Sequence, residues 1–432
     1  MRILVVGSGG REHALVWALA KTSTRPIELF CAPGNAGIAE SAQCVAVAAT
    51  GVNALADFAT SERIDLTMVG PEASLAAGIV DEFQRRGLRI VGPTAKAARL
   101  ETSKAFAKDF MGRHSIPTAR YRVAFSGAEV IKVLESGEFS DEDTPVVIKA
   151  DGLAAGKGVL VAESRTEAKR AVRELVELGD AAQRIVIEEA LSGREASVLL
   201  FSDGKNFRLM PPARDHKRIG EGDTGPNTGG MGAITDAGVL DHATLNAVVE
   251  QIVEPTLQGA RAEGFPFSGI LFIGLMLTSD GPRVLEYNVR FGDPETQAIL
   301  VRLETDLTKI LDAIVDQGLG DIDVRWSNEA SACVVLAARG YPGKPETGAR
   351  IEGLEFAGKE HGVAIFHAAT SRGPADEWLT AGGRVLGVSA TGENLDLALS
   401  RCYRAVAEIR WDRMQYRRDI GRTFAPSAAA KG

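Results

Sequence analysis

Lys149 closes the apolar run Val146–Val147–Ile148 and leads into Asp151–Gly158, a segment holding Gly152, Gly156, Lys157 and Gly158. An ammonium at the end of an apolar strand, followed by glycines, has the composition of an anion cradle. Glycines let backbone N–H groups turn inward on a polyphosphate, and lysines neutralise it. The spacing is not that of a P-loop: three residues separate Gly152 from Gly156, and Gly158 stands where a magnesium-binding hydroxyl is required. ATP held by another device is the expectation. The alternative is a plain turn with solvated lysines, which leaves a lysine at the end of a buried strand unexplained.

A second chemistry lies in Val284–Glu295, VLEYNVRFGDPE. Strand alternation puts Glu286 and Asn288 on one face and, if the strand persists, Arg290 as well. One carboxylate and one amide oxygen are hard donors suited to a magnesium ion that keeps waters and bridges ATP phosphates. Arg290 adds a guanidinium fork for phosphate or carboxylate. An ordinary polar strand face is the competing reading. In Ile185–Glu195, IVIEEALSGRE, the backbone of Glu188–Leu191 could pair with an adenine edge and Glu195 could accept from ribose hydroxyls. A surface ion pair is the default for such a glutamate.

Asp215–Gly232, DHKRIGEGDTGPNTGGMG, has six glycines and no apolar period. It reads as a structureless functional loop in which Asp215, His216, Lys217 and Arg218 could act on a charged substrate, against a flexible surface loop. Gly7–Glu12, GSGGRE, is half of a dinucleotide fingerprint. Glu12 takes the third glycine's place and no acid ends the next strand, so a nicotinamide dehydrogenase is disfavoured. Arg11, beside a helix N-terminus, could still meet a phosphate.

The elements that must position these groups follow from periodicity. Strands are expected at Ile3–Val6, Ile27–Cys31, Leu66–Val69 and Arg89–Val91, with helices over Glu12–Ala20 and Ala76–Arg86. That succession means a parallel sheet covered on both faces. One helix is expected over Lys96–His114, then a small α/β unit with a helix over Glu167–Leu178, and a larger sheet from Ser197–Phe201, Ile270–Leu277 and Val284–Tyr287. A helix over Thr244–Glu263 sits among these strands. Short strands at Ala332–Ala337, Ala364–Ala368 and Val385–Ser389 and a helix over Asn394–Ile409 finish the chain.

The 432 residues allow two to four domains. A net charge of −8 argues against a nucleic-acid partner. The scattered cysteines, Cys31, Cys44, Cys333 and Cys402, point to a reduced, cytoplasmic setting. The histidines form no zinc motif, and no apolar run approaches the ~20 residues of a membrane span.

Together these segments resemble the ATP-grasp enzymes over nearly the whole chain. The resemblance rests on GSGGREHA (Gly7–Ala14), APGNAG (Ala32–Gly37), VGPE (Val69–Glu72), SKAF (Ser103–Phe106) and IKADGLAAGKGV (Ile148–Val159). It continues in DHKR (Asp215–Arg218), DTGPNTGGMGA (Asp223–Ala233) and RFGDPETQ (Arg290–Gln297). Within the family, the chain looks like the ligases that join glycine to 5-phosphoribosylamine in purine biosynthesis.

The resemblance implies an α/β ATP-grasp fold with three parts. These are an N-terminal parallel-sheet (Rossmann-like) domain over 1–103, an ATP-grasp domain over 104–328 with a small mobile α/β lid at about 122–190, and a C-terminal α+β domain over 329–432. By position it implies that Lys104, Lys149 and the Gly152–Gly158 segment contact ATP phosphates. Glu188 and Leu191 meet adenine, Glu195 meets ribose, and Glu286 with Asn288 holds magnesium or manganese. Gly9, Arg11, Asn35, Gly37, Arg290 and Asp293 surround the phosphoribosylamine, and Asp215 and Lys217 take the glycine side. A monomer is the expected assembly. An ATP-grasp ligase for another carboxylate–amine pair, or a non-catalytic nucleotide sensor, are the alternatives. One departure stands out: Gly269–Leu277, GILFIGLML, lacks the acid that many ATP-grasp enzymes place on this strand, which favours one metal ion over two.

Overall fold

A computed structural model describes residues 1–139, 142–152, 158–177, 179 and 183–422. Gly156 and Lys157 therefore lie outside the described residues, as does most of the expected phosphate loop.

The N-terminal strands pair in parallel, in the order Gln43–Cys44, Glu28–Pro33, Arg2–Gly7, Leu66–Val69, Ile90–Val91. Ile3, Leu4, Val5 and Val6 are all fully buried, as a sheet covered on both faces requires. The winding reverses between Arg2–Gly7 and Leu66–Val69. Beyond the carboxyl ends of those two strands lie Gly7–Gly10 and Val69–Glu72, the crevice where such sheets take ligands. Glu12 folds back into this crevice and accepts the Gly9 N–H at 2.6 Å. A β-carbon on Gly70 would fall 2.0 Å from its Oε1. The start of helix Gly10–Thr22 is thus already occupied by a carboxylate, which gives a physical reason for the failed dinucleotide fingerprint.

Two expected helices are broken. The span 96–114 divides into Ala95–Thr102 and Lys104–Arg113 at Ser103, whose hydroxyl caps the second helix by accepting from Phe106 N–H. Asp151 secures the break, accepting from the Ser103 hydroxyl at 2.9 Å and Ala105 N–H at 2.7 Å. Of the span 76–86 only Ile79–Arg85 forms the expected helix; Gly78, at φ +81°, separates it from a short helix, Glu72–Ala76, that ends where the expected one begins. By contrast the expected helix over 244–263 runs unbroken from His242 to Ala262 through a wide turn at Val249–Val253. Pro255 lacks the N–H that a regular α-turn would need there, and the wide turn absorbs the loss.

Tyr121–Ala124, Ile185–Glu189, Val146–Ala150 and Val159–Ala162 form an antiparallel sheet backed by helices Gly127–Glu135 and Arg165–Val176. This unit has its own hydrophobic core, including Val130, Leu134, Ile148 and Val172. Facing it is a second antiparallel sheet of Phe207–Leu209, Arg194–Asp203, Ser268–Thr278 and Gly281–Asn288. The C-terminal strands Ala330–Ala337, Arg384–Gly392 and Val363–His367 pair antiparallel, covered by helix Leu395–Glu408. Gly232–Thr235 joins that sheet by pairing with Ala330–Ala337, so hydrogen bonds cross the boundary expected near residue 328. The segment read as structureless carries a short hairpin, Arg218–Gly220 with Thr224–Asn227. Backbone pairing there needs no apolar period, which is why periodicity missed it. No described helix is long and apolar enough to cross a membrane.

His13 ties the first and last units together: its Nδ1 accepts the His367 N–H at 2.8 Å, and both rings are buried. Burial lowers the His13 pKa to about 4. The unfolded chain therefore takes up a proton from about pH 6.5 downward that the folded chain refuses, and stability falls as pH drops toward 4. The loss expected from this residue is roughly 2 kcal/mol by pH 5. His13→Asn, whose amide oxygen can accept the same N–H without titrating, should shrink the fall in Tm between pH 7 and pH 5. Equal pH slopes for the two proteins would refute this.

Candidate active site

The two central sheets, the N-terminal crevice and the C-terminal unit enclose one cavity of about 560 Å³. Lys149 and Glu286, far apart in sequence, both line it.

One wall carries three lysines. Lys149 ends strand Val146–Ala150, while Lys104 and Lys108 lie one turn apart on the helix that begins after Ser103. Glu188, 1% exposed, sits between two of them: Lys149 Nζ and Lys108 Nζ each lie 2.8 Å from one of its carboxylate oxygens. Burial alone would raise the Glu188 pKa, but the two ammoniums hold it below the usual range. Burial, with Lys149 close by, lowers Lys108 to about 8. Lys104 is lowered in the same way and donates to Gly152 O at 3.4 Å.

Opposite, Glu286 and Asn288 point from strand Gly281–Asn288 into the cavity. A bulge interrupts the pairing, with Gly274 opposite Glu286 but Leu275 opposite Val284. The extra residue, Leu285, turns its carbonyl to accept from Lys149 Nζ at 3.2 Å. Gly274 leaves little room across the strand; a β-carbon there would stand 3.3 Å from Glu286 Cγ. Burial would raise the Glu286 pKa, yet Lys217, Lys149 and Lys104 hold it low, so the group is an anion ready for a cation. Among the described residues no cluster of three or more His, Cys, Asp or Glu side chains could hold a metal by itself. A carboxylate and an amide oxygen nonetheless fit a magnesium ion whose other ligands are phosphate and water.

The third side is built from Asp215, Lys217, Glu195 and Glu295. Lys217 Nζ lies 3.0 Å from Glu195 Oε2, and the charge of Glu195 holds the Lys217 pKa above the ordinary value although the ammonium is partly desolvated. Burial raises Asp215 to about 6, opposed by Lys217, and raises Glu295 to about 8 with Asp215 adding to the effect. The last wall is rich in arginine. Arg290 pairs with Glu72 at 3.0 Å and Glu101 at 2.9 Å, and donates to Phe291 O and Asn288 Oδ1. Arg11 donates to Glu12 and to Phe291 O; Arg384 donates to Asp293 Oδ2 at 2.9 Å.

Not every residue named from sequence lines this cavity. Arg11, Lys104, Lys149, Gly158, Glu188, Asp215, Lys217, Glu286, Asn288, Arg290 and Asp293 do. Glu195 stands behind Lys217, and Gly152 beside Lys104; Leu191 follows the strand that carries Glu188. Gly9 lies at the rim, where an added β-carbon would be 3.8 Å from Asp293 Oδ2. Asn35 is committed elsewhere: its amide donates to Ser8 O, His367 O and Ala368 O, and its oxygen accepts from Gly37 and Ile38. Gly37 packs against His367, whose ring a β-carbon would strike at 2.2 Å. The reading from sequence overlooked Lys108, Glu72, Glu101, Glu295, Tyr341 and Arg384. Lys108 was discoverable as the helical neighbour of Lys104, and Glu72 and Glu295 lie inside quoted motifs; no local signal marks Arg384 or Tyr341.

A triphosphate-sized cavity between two antiparallel sheets, with lysines on one and a metal-suited pair on the other, defines an ATP-grasp enzyme. Family models describe the same three parts: "Phosphoribosylglycinamide synthetase, N domain" matches residues 1–101, its "ATP-grasp (A) domain" 102–296 and its "C domain" 331–423. A curated relative from Xanthomonas axonopodis pv. citri, a phosphoribosylamine–glycine ligase, is 48% identical over 100% of both chains. The crystal structure of phosphoribosylamine–glycine ligase from Thermotoga maritima has a TM-score of 0.82 and 34% identity, covering 97% of this chain and 100% of that one. The biotin carboxylase domain of Hydrogenobacter thermophilus 2-oxoglutarate carboxylase shares the fold at 14% identity, with a TM-score of 0.71 over 96% of this chain and 91% of that one. The chain belongs to the phosphoribosylglycinamide synthetase family.

Glu188→Gln keeps shape but leaves two buried ammoniums without their shared carboxylate. Breaking such a buried pair costs about 3 kcal/mol or more. The variant should show a lower Tm than wild type, and ATP, by supplying negative charge, should raise its Tm by more than it raises that of wild type. Equal nucleotide-induced shifts would remove Lys149 from the phosphate site.

Proposed function

We propose that this protein uses ATP to join glycine to 5-phosphoribosylamine, giving glycinamide ribonucleotide, ADP and phosphate in purine biosynthesis. The observation that carries the reading is the shared cavity, in which a phosphate-type lysine wall and the Glu286–Asn288 pair face an arginine wall across an acidic pocket. Relatives named phosphoribosylamine–glycine ligase at nearly half identity support it.

In this reading the triphosphate lies against Lys104, Lys149 and Gly158, and the adenine end lies toward Lys108, Glu188 and Leu191, with Glu195 on the ribose side. Glu286 and Asn288 hold magnesium, or manganese, which supplies positive charge to the phosphates. The glycine ammonium sits with Asp215 and Glu295, and Lys217 steers its carboxylate. A carboxylate oxygen attacks the γ-phosphorus, the bond to the bridging oxygen breaks, and ADP departs. The amine nitrogen of phosphoribosylamine then attacks the carbonyl carbon of glycyl phosphate; phosphate leaves and the nitrogen loses a proton. No protein nucleophile is required, because a carboxylate is competent once positioned and the γ-phosphate charge is offset. Arg11, Arg290 and Asp293, with Arg384, flank the phosphoribosylamine, and Gly9 at the rim lets it approach. Asn35 and Gly37 support that wall from behind.

Pure protein should release ADP at full rate only with glycine and freshly formed phosphoribosylamine together, and the product mass should be that of glycinamide ribonucleotide. Turnover with a different amine at equal efficiency would overturn the assignment. Glu286→Ala should cut ADP release by at least about a hundredfold while far-UV circular dichroism is unchanged. Wild-type release at ordinary magnesium would exclude Glu286 as the metal ligand. Arg290→Ala should raise KM for phosphoribosylamine more than KM for glycine, and unchanged kinetics for phosphoribosylamine would remove it from that wall.

A further inference from the structure

Arg417 is the largest fully buried side chain in the described protein, and nothing in the reaction above uses it. It lies after the last helix, on a segment that crosses back under the hairpin Arg218–Gly220/Thr224–Asn227. Its guanidinium grips Asp419 through two hydrogen bonds of 2.8 Å. Its remaining nitrogen reaches the hairpin, donating to Asp223 Oδ1 at 2.6 Å and Arg218 O at 3.2 Å. Asp419 completes the clamp by accepting the Gly222 N–H at 2.8 Å, and Arg418 N–H reaches Glu221.

Beyond this clamp, the contacts to the hairpin gather at its base, where Gly229 donates its N–H to the Tyr341 hydroxyl at 2.8 Å and its carbonyl accepts from Arg384. No residue from Lys217 to Gly229 is buried, and Asp223 takes φ +54° at its tip. Isolated two-stranded ribbons are marginal in water. Yet the base of this ribbon forms part of the cavity. Lys217 O accepts from both the N–H and the hydroxyl of Thr228 at 2.8 Å, and Lys217, Thr228 and Gly229 all line the site. A displaced hairpin therefore displaces the Lys217 ammonium.

We propose that Arg417 is a positioning residue: from the C-terminal unit it fixes the hairpin and, through it, places Lys217 for glycine. The proposal rests on the reading of Lys217 as part of the glycine site. The pairing of a buried cation with two acids on either side of a chain crossing explains why a fully desolvated arginine is tolerated there.

The test uses Arg417→Lys, which keeps the charge but loses the fork, and Asp223→Asn, a half-exposed change that removes one contact and leaves the buried pair intact. Hydrogen exchange at Thr228 N–H should quicken in both variants. KM for glycine should rise about tenfold while kcat and KM for ATP stay within about twofold. A merely structural role would lower the active fraction, and with it kcat, leaving every KM unchanged; that result, or unchanged hairpin exchange, overturns the proposal. Lys217→Met run in parallel separates the two readings. Raised glycine KM in Lys217→Met with wild-type behaviour in both other variants refutes the positioning role alone. Unchanged glycine KM in Lys217→Met refutes the glycine-site reading and the proposal with it.

Discussion

Charges crowded around a small cavity must each be answered by an opposite charge, and that constraint organises this protein. Among the described residues, seven lysine or arginine and seven aspartate or glutamate side chains line the same space. The balance means the site can assemble before a highly charged ligand arrives, because no ammonium is left to face only its own kind. Glu188 between Lys108 and Lys149 is the clearest case, and Arg290 between Glu72 and Glu101 is its counterpart on the far wall. A polyanion entering such a site exchanges partners with groups already charged, which avoids the reorganisation water would require.

The backbone supplies the registration that these pairs need. Ser103 breaks a helix so that Lys104 and Lys108 start a new one beside Asp151, at the end of the strand that carries Lys149. The bulge at Leu285 bends the opposing strand and offers a carbonyl to that same lysine. Small residues then set clearances: Gly70 admits the folded-back Glu12, and Gly274 leaves Glu286 its space. The three sequence units are interlocked rather than strung together. Gly232–Thr235 pairs with a strand of the C-terminal unit, and Asn35 and His13 each bond to the backbone around His367. The cavity is therefore a property of the whole chain, with walls contributed by segments hundreds of residues apart.

Much of the fold could be read directly. The strand at Leu66–Val69 falls where apolar patterning puts it, and the parallel sheet follows from its alternation with helices. Breaks within helices were less visible, because Ser103 and Gly78 are compatible with a helix until tertiary partners reward the break. Of the residues that line the cavity, those in distinctive local strings were legible in the sequence: Lys149 before its glycines, Glu286 and Asn288 on one strand face. Asn35 and Gly37 belong to an equally distinctive string, yet the structure commits them to the contact with His367 behind the cavity wall. A motif marks that a segment matters; it does not say which side of a wall its side chains face.

The sequence by itself determined the side chains available: a lysine ahead of a glycine-rich segment, and a carboxylate–amide pair on one strand. These are short-range patterns, written within one turn or one strand by the geometry of the backbone. Tertiary structure alone decided which counter-ion each charge would meet. Arg384 on Asp293, Lys217 on Glu195 and Arg417 on Asp223 join segments with no common period or spacing. Electrostatic pairing depends on distance in space and on the exclusion of water, and neither exists until the chain has closed around the cavity.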